Sequence, residues 1–229
     1  MHKLVLLLSL ISCLFFTTDC YCSDYKENKI ISYVAATPRS KEDRISSLVE
    51  YLVKPFDDDY DKAKAIAFWI AAHINYDTYL YNNGKTTKLF NAYQGQNPKD
   101  LLKSRVGICG DFAELFSTMC IKAGIKSRIV YGYAYPADNK PRGNELANYG
   151  HAWNQFLYKN EIINVDTTFM SRGKTQLSGR ATNLRHRRAL KEVRRENKYN
   201  SQMNNFDSFY FDFNYRTEAR ERGYKHSEL

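Results

Sequence analysis

The chain has 229 residues, of which 43% are hydrophobic and 26% are charged, and its formal net charge is +9 at pH 7. This length suffices for one sizeable domain with its own core, and the composition excludes a chain that is disordered throughout. Despite the positive charge, nucleic acid is an unlikely partner, because the N-terminus predicts export from the cytoplasm.

The first 23 residues have the pattern of a cleaved signal peptide. Lys3 supplies the positive end, and the apolar run from Leu4 to Phe16 that follows is too short to span a bilayer. We therefore expect a secreted or periplasmic protein, cleaved near residue 22 or 23, with no transmembrane span in the mature chain. Asp19 directly before Cys20 is a poor lipoprotein cleavage signal, so a lipid anchor is the less favoured alternative.

An N-terminal helical extension is predicted over residues 24–60. Its main element is a helix from Lys41 to Lys54, with Ser40 as the N-cap. A second helix follows the acidic run Asp57–Asp59 and continues to about Ile74. Acidic side chains at a helix N-terminus interact favourably with the helix dipole, so this run is interpreted as a helix start rather than a calcium site.

The segment from Ser104 to Phe116 predicts a turn followed by a buried helix that begins at or near Cys109. Apolar residues from Phe112 to Ala123 recur at helical spacing, and Gly124 stands where a helix C-cap is expected. A thiol in the first turn lies near unpaired N–H groups and the positive end of the helix dipole, which favour a thiolate. Cys109 is therefore predicted to be a nucleophile.

Other residues around this helix are assigned supporting roles. Gly107 and Gly110 are expected to leave room beside the sulfur for a substrate. Cys120 lies on the buried face of the helix, about 16 Å from Cys109, which is too far for a disulfide, and it is interpreted as a core residue. The long polar loop from Thr78 to Gln96 is expected to cover the cleft.

Strand-like alternation follows the Cys helix in three runs, Lys126–Tyr135, Gly150–Tyr158 and Glu161–Phe169, of which the last two form a hairpin. The hairpin carries His151 on its first strand and Asp166 on its second. Side chains alternate between the faces of a sheet, so these two residues share a face if the connection has an even number of residues. A Cys nucleophile, a His that takes its proton and an Asp that orients the His form a catalytic triad; we predict that Cys109, His151 and Asp166 are catalytic.

A basic insertion is predicted over residues 171–200. Its segment Arg180–Lys198 carries eight basic and two acidic side chains. The first interpretation is a solvated helix face, and the functional alternative is a patch for an anionic cell-surface or cell-wall polymer. Phe206 to Tyr215 is predicted to be an aromatic strand that closes the sheet, before a charged tail over 216–229.

Three phrases around the predicted catalytic residues resemble a known family. They are Gly107-Ile108-Cys109-Gly110-Asp111-Phe112-Ala113, Gly150-His151-Ala152-Trp153-Asn154 and Val165-Asp166-Thr167-Thr168-Phe169. Taken in this order they resemble the transglutaminase-like superfamily, and within it the kyphoscoliosis-peptidase-like branch with its bacterial secreted relatives. The resemblance implies a papain-like α+β fold over residues 61–215, in which the Cys helix packs on an antiparallel sheet that carries the His and the Asp.

The resemblance also implies a reaction. It is acyl transfer on peptide or carboxamide bonds, by a cysteine peptidase, a deamidase or a transglutaminase, with a protein or peptide substrate and no cofactor or metal. The backbone N–H of Cys109 is the expected oxyanion donor, since it lies at the helix start. In the family, residues near the end of the second helix also approach the Cys, and Tyr76 is our choice of oxyanion side chain, although packing is its more common role.

Two alternatives to an active enzyme remain open. The first is a catalytically inactive module of the same fold that binds a protein or the cell wall. The second is a metal site, which one Cys, one His and one Asp support weakly because no local ligand pair such as C-x-x-C accompanies them.

Overall fold

The computed structural model describes residues 26–77, 95–136, 142–143, 145, 149–171, 210–212 and 224–228, and for 135–136 and 224–228 it describes the backbone alone. The helices are α1 (26–35), α2 (Ile45–Val53), α3 (Asp59–His73), α4 (Pro98–Ser104), α5 (Cys109–Lys122) and α6 (Thr167–Met170). The strands are β1 (Asn75–Tyr76), β2 (Val106–Gly107), β3 (Ser127–Pro136), β4 (Gly150–Tyr158), β5 (Glu161–Val165) and β6 (Tyr224–Glu228). The basic segment Arg180–Lys198 and the predicted signal peptide lie outside the described residues.

Four strands form one antiparallel sheet in the order β5-β4-β3-β6. Helix α5 packs on β3 and β4, and the Asn154 side chain on β4 donates to the Ala113 carbonyl on α5 at 2.9 Å. Helices α2 and α3 also contact α5, so the Cys helix lies between the sheet and the N-terminal helices. The predicted α+β fold, with the Cys helix packed on an antiparallel sheet, is confirmed.

The core is built from large side chains on α3, α5 and the hairpin. The largest that are completely buried include Phe68, Trp69, Phe112, Phe116 and Trp153. Cys120 is also fully buried, as its position on the apolar face predicts. Among the described residues, no helix is long and apolar enough to cross a membrane.

The N-terminal helices differ from prediction at one cap. Helix α2 begins at Ile45, after a short 3₁₀ turn over Arg39–Lys41, so the prediction that Ser40 caps a helix starting at Lys41 is wrong. The predicted start of α3 is confirmed, because the Asp58 carboxylate accepts the N–H of Tyr60 at 2.9 Å. An acid in this position satisfies an unpaired donor of the first turn.

A two-stranded parallel pairing connects the end of α3 to the start of α5. Asn75 pairs with Val106 and Tyr76 with Gly107. The N–H of Asn75 donates to the Arg105 carbonyl and that of Asp77 to the Gly107 carbonyl, both at 2.8 Å. These bonds fix the chain immediately before Cys109.

The C-terminal part of the sheet is only partly as predicted. Of the strand predicted over Phe206–Tyr215, the described residues are 210–212, where Phe211 forms an isolated antiparallel bridge with Val165. The strand beside β3 is β6, which lies in the segment predicted to be a charged tail. Its polar sequence is typical of an edge strand.

Candidate active site

Cys109 is the first residue of α5. The N-cap of this helix is Ile108, which has extended backbone dihedrals. The Cys109 side chain is half-buried. In the described part of the chain, the N–H groups of Cys109 and Gly110 meet no hydrogen-bond acceptor, as expected for the first turn of a helix. The sulfur therefore lies at a helix N-terminus with free donors beside it.

The hairpin brings the other two predicted residues together, although the strand predicted to run from Glu161 to Phe169 is too long. Strand β5 ends at Val165, and Asp166 follows it as the N-cap of α6, whose first turn takes up the rest of the predicted strand. Strands β4 and β5 pair Tyr158 with Glu161, so the connection is the two residues Lys159 and Asn160, both with positive φ (48° and 67°). Two consecutive left-handed residues match the twist of a tight hairpin. With this even connection, His151 Nε2 lies 2.7 Å from Asp166 Oδ2.

Asp166 is completely buried and both of its carboxylate oxygens have partners. Oδ2 faces His151, and Oδ1 accepts the N–H of Phe169 at 2.9 Å, which caps α6. The backbone N–H of Asp166 donates to the Tyr210 carbonyl at 2.9 Å. The carboxylate is therefore held from the α6 side while it contacts the imidazole.

The imidazole of His151 lies beside two aromatic rings. It stacks on Phe169 at 4.6 Å between ring centroids and on Trp153 at 6.2 Å. Burial lowers the pKa of His151, but the charge of Asp166 and hydrogen bonds to Asp166 and Cys109 outweigh this effect and raise the pKa to about 10. At neutral pH this imidazole is protonated, and it lies beside the Asp166 carboxylate and the Cys109 sulfur.

Comparison with known proteins identifies the family. Residues 46–167, slightly more than half of the chain, match the sequence model of the transglutaminase-like superfamily. The chain belongs to this superfamily. The matched segment contains Cys109, His151 and Asp166, so the predicted superfamily is confirmed.

Individual relatives are more distant. The chain is 28% identical to the kyphoscoliosis peptidases of Mus musculus and of Homo sapiens over 127 residues, which is 56% of this chain. The match spans only 18% of the length of each of those proteins. Among solved structures, a crystal structure of a TGase is similar to this chain with a TM-score of 0.45 and 20% sequence identity. The similarity covers 73% of this chain and 42% of that chain.

Tyr76, the predicted oxyanion side chain, lies beside the first turn of the Cys helix. Its backbone pairs with Gly107, and its half-buried ring is 6.4 Å from that of Phe112, one turn after Cys109. The structure thus places Tyr76 beside the segment that leads into α5. Its contact with Phe112 is the packing role that we considered more common.

The two glycines of this superfamily motif differ in their surroundings. A Cβ on Gly107 would lie 2.8 Å from Asp111 and from Leu101, so its small size accommodates the protein itself and does not leave room for a substrate. A Cβ on Gly110 would meet no described atom within 4 Å. The expectation of free space beside the sulfur is therefore wrong for Gly107 and holds for Gly110.

Sequence reasoning missed a charged cluster behind this turn. The Glu42 carboxylate accepts from Trp69 Nε1 and from Arg105 Nη2, both at 3.1 Å. Arg105 has left-handed dihedrals, and its guanidinium lies over the Trp69 ring, on which His73 also stacks. The spacing of Trp69 and His73 signals that stack, but nothing in the sequence signals Glu42.

Over the described residues, no group of three His, Cys, Asp or Glu side chains could hold a metal ion.

Proposed function

We propose that the protein is a thiol-dependent acyl-transfer enzyme in which Cys109 is the nucleophile, His151 the proton carrier and Asp166 the residue that orients the imidazole. The observation that carries the proposal is the short contact of His151 with the buried Asp166 carboxylate, together with the effect of Cys109 on the pKa of the same imidazole. Nε2 lies 2.7 Å from Asp166 Oδ2, so Nδ1 is the ring nitrogen left to exchange a proton with Cys109, whose side chain is close enough to raise the pKa of the imidazole. A nucleophile, a base and an orienting group in this order are the elements of a triad.

The proposed reaction begins with the thiol proton on His151, which the raised pKa of the imidazole favours. The Cys109 thiolate attacks the carbonyl carbon of a peptide or carboxamide, forming a C–S bond and an oxyanion. The C–N bond then breaks, the leaving amine takes the proton from the imidazolium, and a thioester remains on Cys109. Water releases the acid in a peptidase or deamidase, and a second amine forms a new amide in a transglutaminase.

The oxyanion is proposed to bind the backbone N–H of Cys109. Support comes from the position of this group at the start of α5 and from its lack of an acceptor within the described residues. Preorganised donors of this kind are among the largest contributions to acyl-transfer catalysis. Tyr76 remains our proposal for an additional donor, supported by its place beside the first turn.

The decisive experiment compares two cysteine variants. Cys109→Ala should abolish release of p-nitrophenol from p-nitrophenyl acetate, and Cys120→Ala, which alters only a buried thiol, should retain it. Cleavage of a fluorogenic casein and incorporation of monodansylcadaverine then separate hydrolysis from amine transfer. Equal activity of the two variants, or no Cys109-dependent turnover of any of the three substrates, would contradict the proposal and favour an inactive binding module.

We also propose that the protein is exported by cleavage after its first 22 or 23 residues, supported by the charge and apolar run of that segment. N-terminal sequencing of protein from the culture fluid or periplasm tests this. A mature chain that still begins with Met1 would refute it.

The segment Arg180–Lys198 is proposed to attach the protein to an anionic cell-surface polymer, supported by its net charge of +6 from eight basic and two acidic side chains. Such attraction weakens as salt shortens the Debye length from about 10 Å at 0.1 M to about 3 Å at 1 M. Replacing its arginines with Gln should reduce binding to teichoic acid or anionic vesicles and leave turnover of p-nitrophenyl acetate unchanged. Loss of that turnover in a folded variant would place the segment in the active site instead.

A further inference from the structure

A buried carboxylate outside the proposed triad lies two residues after Cys109. Asp111 is 2% exposed and sits in the first turn of α5. Its Oδ2 accepts the N–H of Ile108 at 2.8 Å, and its Oδ1 accepts the N–H of Gln96 at 2.7 Å. One side chain thus binds the start of its own helix and a segment fifteen positions earlier in the chain.

The backbone closes around this carboxylate. A Cβ on Gly107 would be 2.8 Å from both Cβ and Oδ2 of Asp111, a separation that real side chains do not adopt. Gly95 also lies next to this carboxylate. Its φ is +78°, and a Cβ built on it would lie 3.6 Å from Asp111 Oδ1. The approach of Gly107 is so close that a methyl group there would displace the Asp111 side chain.

The segment held by Asp111 is itself tied to the chain that leads to Cys109. Gln96 Nε2 donates to the Val106 carbonyl at 2.7 Å, and Gln96 Oε1 accepts from the Ser104 hydroxyl at 2.9 Å. Gln96 therefore bridges the end of α4, strand β2 and the first turn of α5. The Gln96 side chain makes these two hydrogen bonds, and its backbone N–H donates to Asp111.

Capping of the helix alone does not account for a carboxylate here. A negative charge near a thiolate is unfavourable, and the neutral side chains of Ser, Thr or Asn satisfy a first-turn N–H equally well. The two N–H donors come from different segments and each meets a different carboxylate oxygen, and Asp is the side chain of this length that carries two acceptor oxygens. The geometry therefore indicates that Asp111 joins two segments of the chain, and not only that it caps its own helix.

We propose that Asp111 is a positioning residue: by accepting from Ile108 and Gln96 it fixes the first turn of α5, so that the N–H groups of Cys109 and Gly110 stay free and aimed at the oxyanion. This inference rests on the proposed function. Asp111 takes no part in the proposed bond-making steps, and it acts through the backbone that it holds.

Two reactions of the same thiol separate this role from a merely structural one. Alkylation by iodoacetamide requires the Cys109 thiolate but develops no negative charge on a carbonyl oxygen. Acyl transfer requires the same thiolate together with the oxyanion donors. Loss of positioning should therefore slow acyl transfer much more than alkylation, whereas loss of the folded site should slow both together.

The test uses Asp111→Asn, with Glu114→Gln as the matched control, since Glu114 is an exposed acid one turn further along the same helix. An amide offers only one acceptor oxygen, so either Ile108 or Gln96 loses its partner. We expect kcat for p-nitrophenyl acetate to fall by about tenfold to a hundredfold, less than the 10²–10³-fold loss of a whole oxyanion donor. The alkylation rate of Cys109 should stay within about twofold, and Glu114→Gln should resemble the wild type in both assays.

Gly107→Ala provides an independent approach if Asp111→Asn does not fold, because its methyl group would displace Asp111 without removing the charge. It should show the same separation of acyl transfer from alkylation. An equal loss of both rates in the folded variants, or no loss of either, would overturn the inference.

Amide hydrogen exchange keeps the inference testable if the wild type has no turnover, an outcome that would already contradict the proposed function. Asp111→Asn should then accelerate exchange at Ile108 and Gln96 and in the first turn of α5, and Glu114→Gln should not. Unchanged exchange at these amides would show that Asp111 does not hold the two segments together.

Discussion

Replacing Asp166 with Asn tests the proposed triad most directly, because the variant keeps the helix cap and changes only the imidazole partner. In the native chain Oδ1 accepts from Phe169 N–H and Oδ2 faces His151 Nε2. An amide has one oxygen, and Asn is as good an N-cap as Asp. We expect the amide oxygen to remain on Phe169, so that the amide NH₂ group faces His151.

The consequence for His151 is a change of both tautomer and charge. A donor facing Nε2 makes that nitrogen an acceptor, so the proton moves to Nδ1, the nitrogen that would have to take the thiol proton. Asp166 is also the main source of the raised pKa of His151, and without it burial dominates and the pKa falls. The rise from 6.5 to about 10 represents at most about 5 kcal/mol of preference for the imidazolium, and most of this would be lost.

The assay is acyl transfer together with alkylation of Cys109, each measured from pH 5 to 9. For Asp166→Asn we expect acyl transfer to fall by about 10⁴-fold, as for the equivalent change in a serine triad, and alkylation near pH 7 to slow as well. Asp43→Asn, an exposed carboxylate replaced by the same amide, should leave both unchanged. If the pH profiles of Asp166→Asn coincided with those of the wild type, Asp166 would not orient His151 and the triad would be wrong.

Three further predictions concern stability. Glu42→Gln should lower the free energy of unfolding by about 2–4 kcal/mol in urea titrations, since it leaves the Arg105 guanidinium without its anion; a change below 0.5 kcal/mol would contradict this. Burial lowers the pKa of His73 in the folded state, so as the pH drops below about 6.5 the unfolded chain takes up this proton before the folded chain does, and the free energy of unfolding should fall. The urea midpoint measured against pH should show this fall in the wild type and a smaller fall in His73→Gln. Lys159→Gly should raise the melting temperature slightly, because Lys159 has a φ of 48° in the hairpin turn, a left-handed conformation that glycine adopts more easily. An unchanged or lower melting temperature would show that this conformation does not destabilise the native chain.

Elements with a strong local signal were predictable from the sequence. The bounds of β4 were predicted at both ends, and α5 begins at Cys109 and ends before Gly124, whose φ of +82 is the left-handed cap expected there. Alternation along the hairpin required an even connection or a compensating bulge if His151 and Asp166 were to meet. The two-residue turn satisfies that condition, because strand parity is fixed by the chain and does not depend on distant contacts.

Features that depend on distant contacts were not predictable. Ser40 has the composition of an N-cap, but the chain there forms a 3₁₀ turn before Arg44, from which α2 starts. Asp111 was visible only as an acid in a helical motif, since its partner Gln96 comes from the end of a long polar loop. Strand β6 has a charged, unpatterned sequence, and it is a strand because the edge of β3 offers it backbone partners.

His73 and His151, both partly buried, show why residue type alone could not assign the site. Both His73 and His151 stack on aromatic rings, and burial lowers the pKa of each. The pKa of His73 stays low because Nε2 is 3.7 Å from Glu42, beyond hydrogen-bond range, and Arg105 opposes a second positive charge. His151 instead has a fully buried carboxylate at 2.7 Å, and that contact reverses the direction of the shift. One imidazole is thus neutral and the other charged at neutral pH, so the distance to a carboxylate decides which of them can serve as partner to a thiolate.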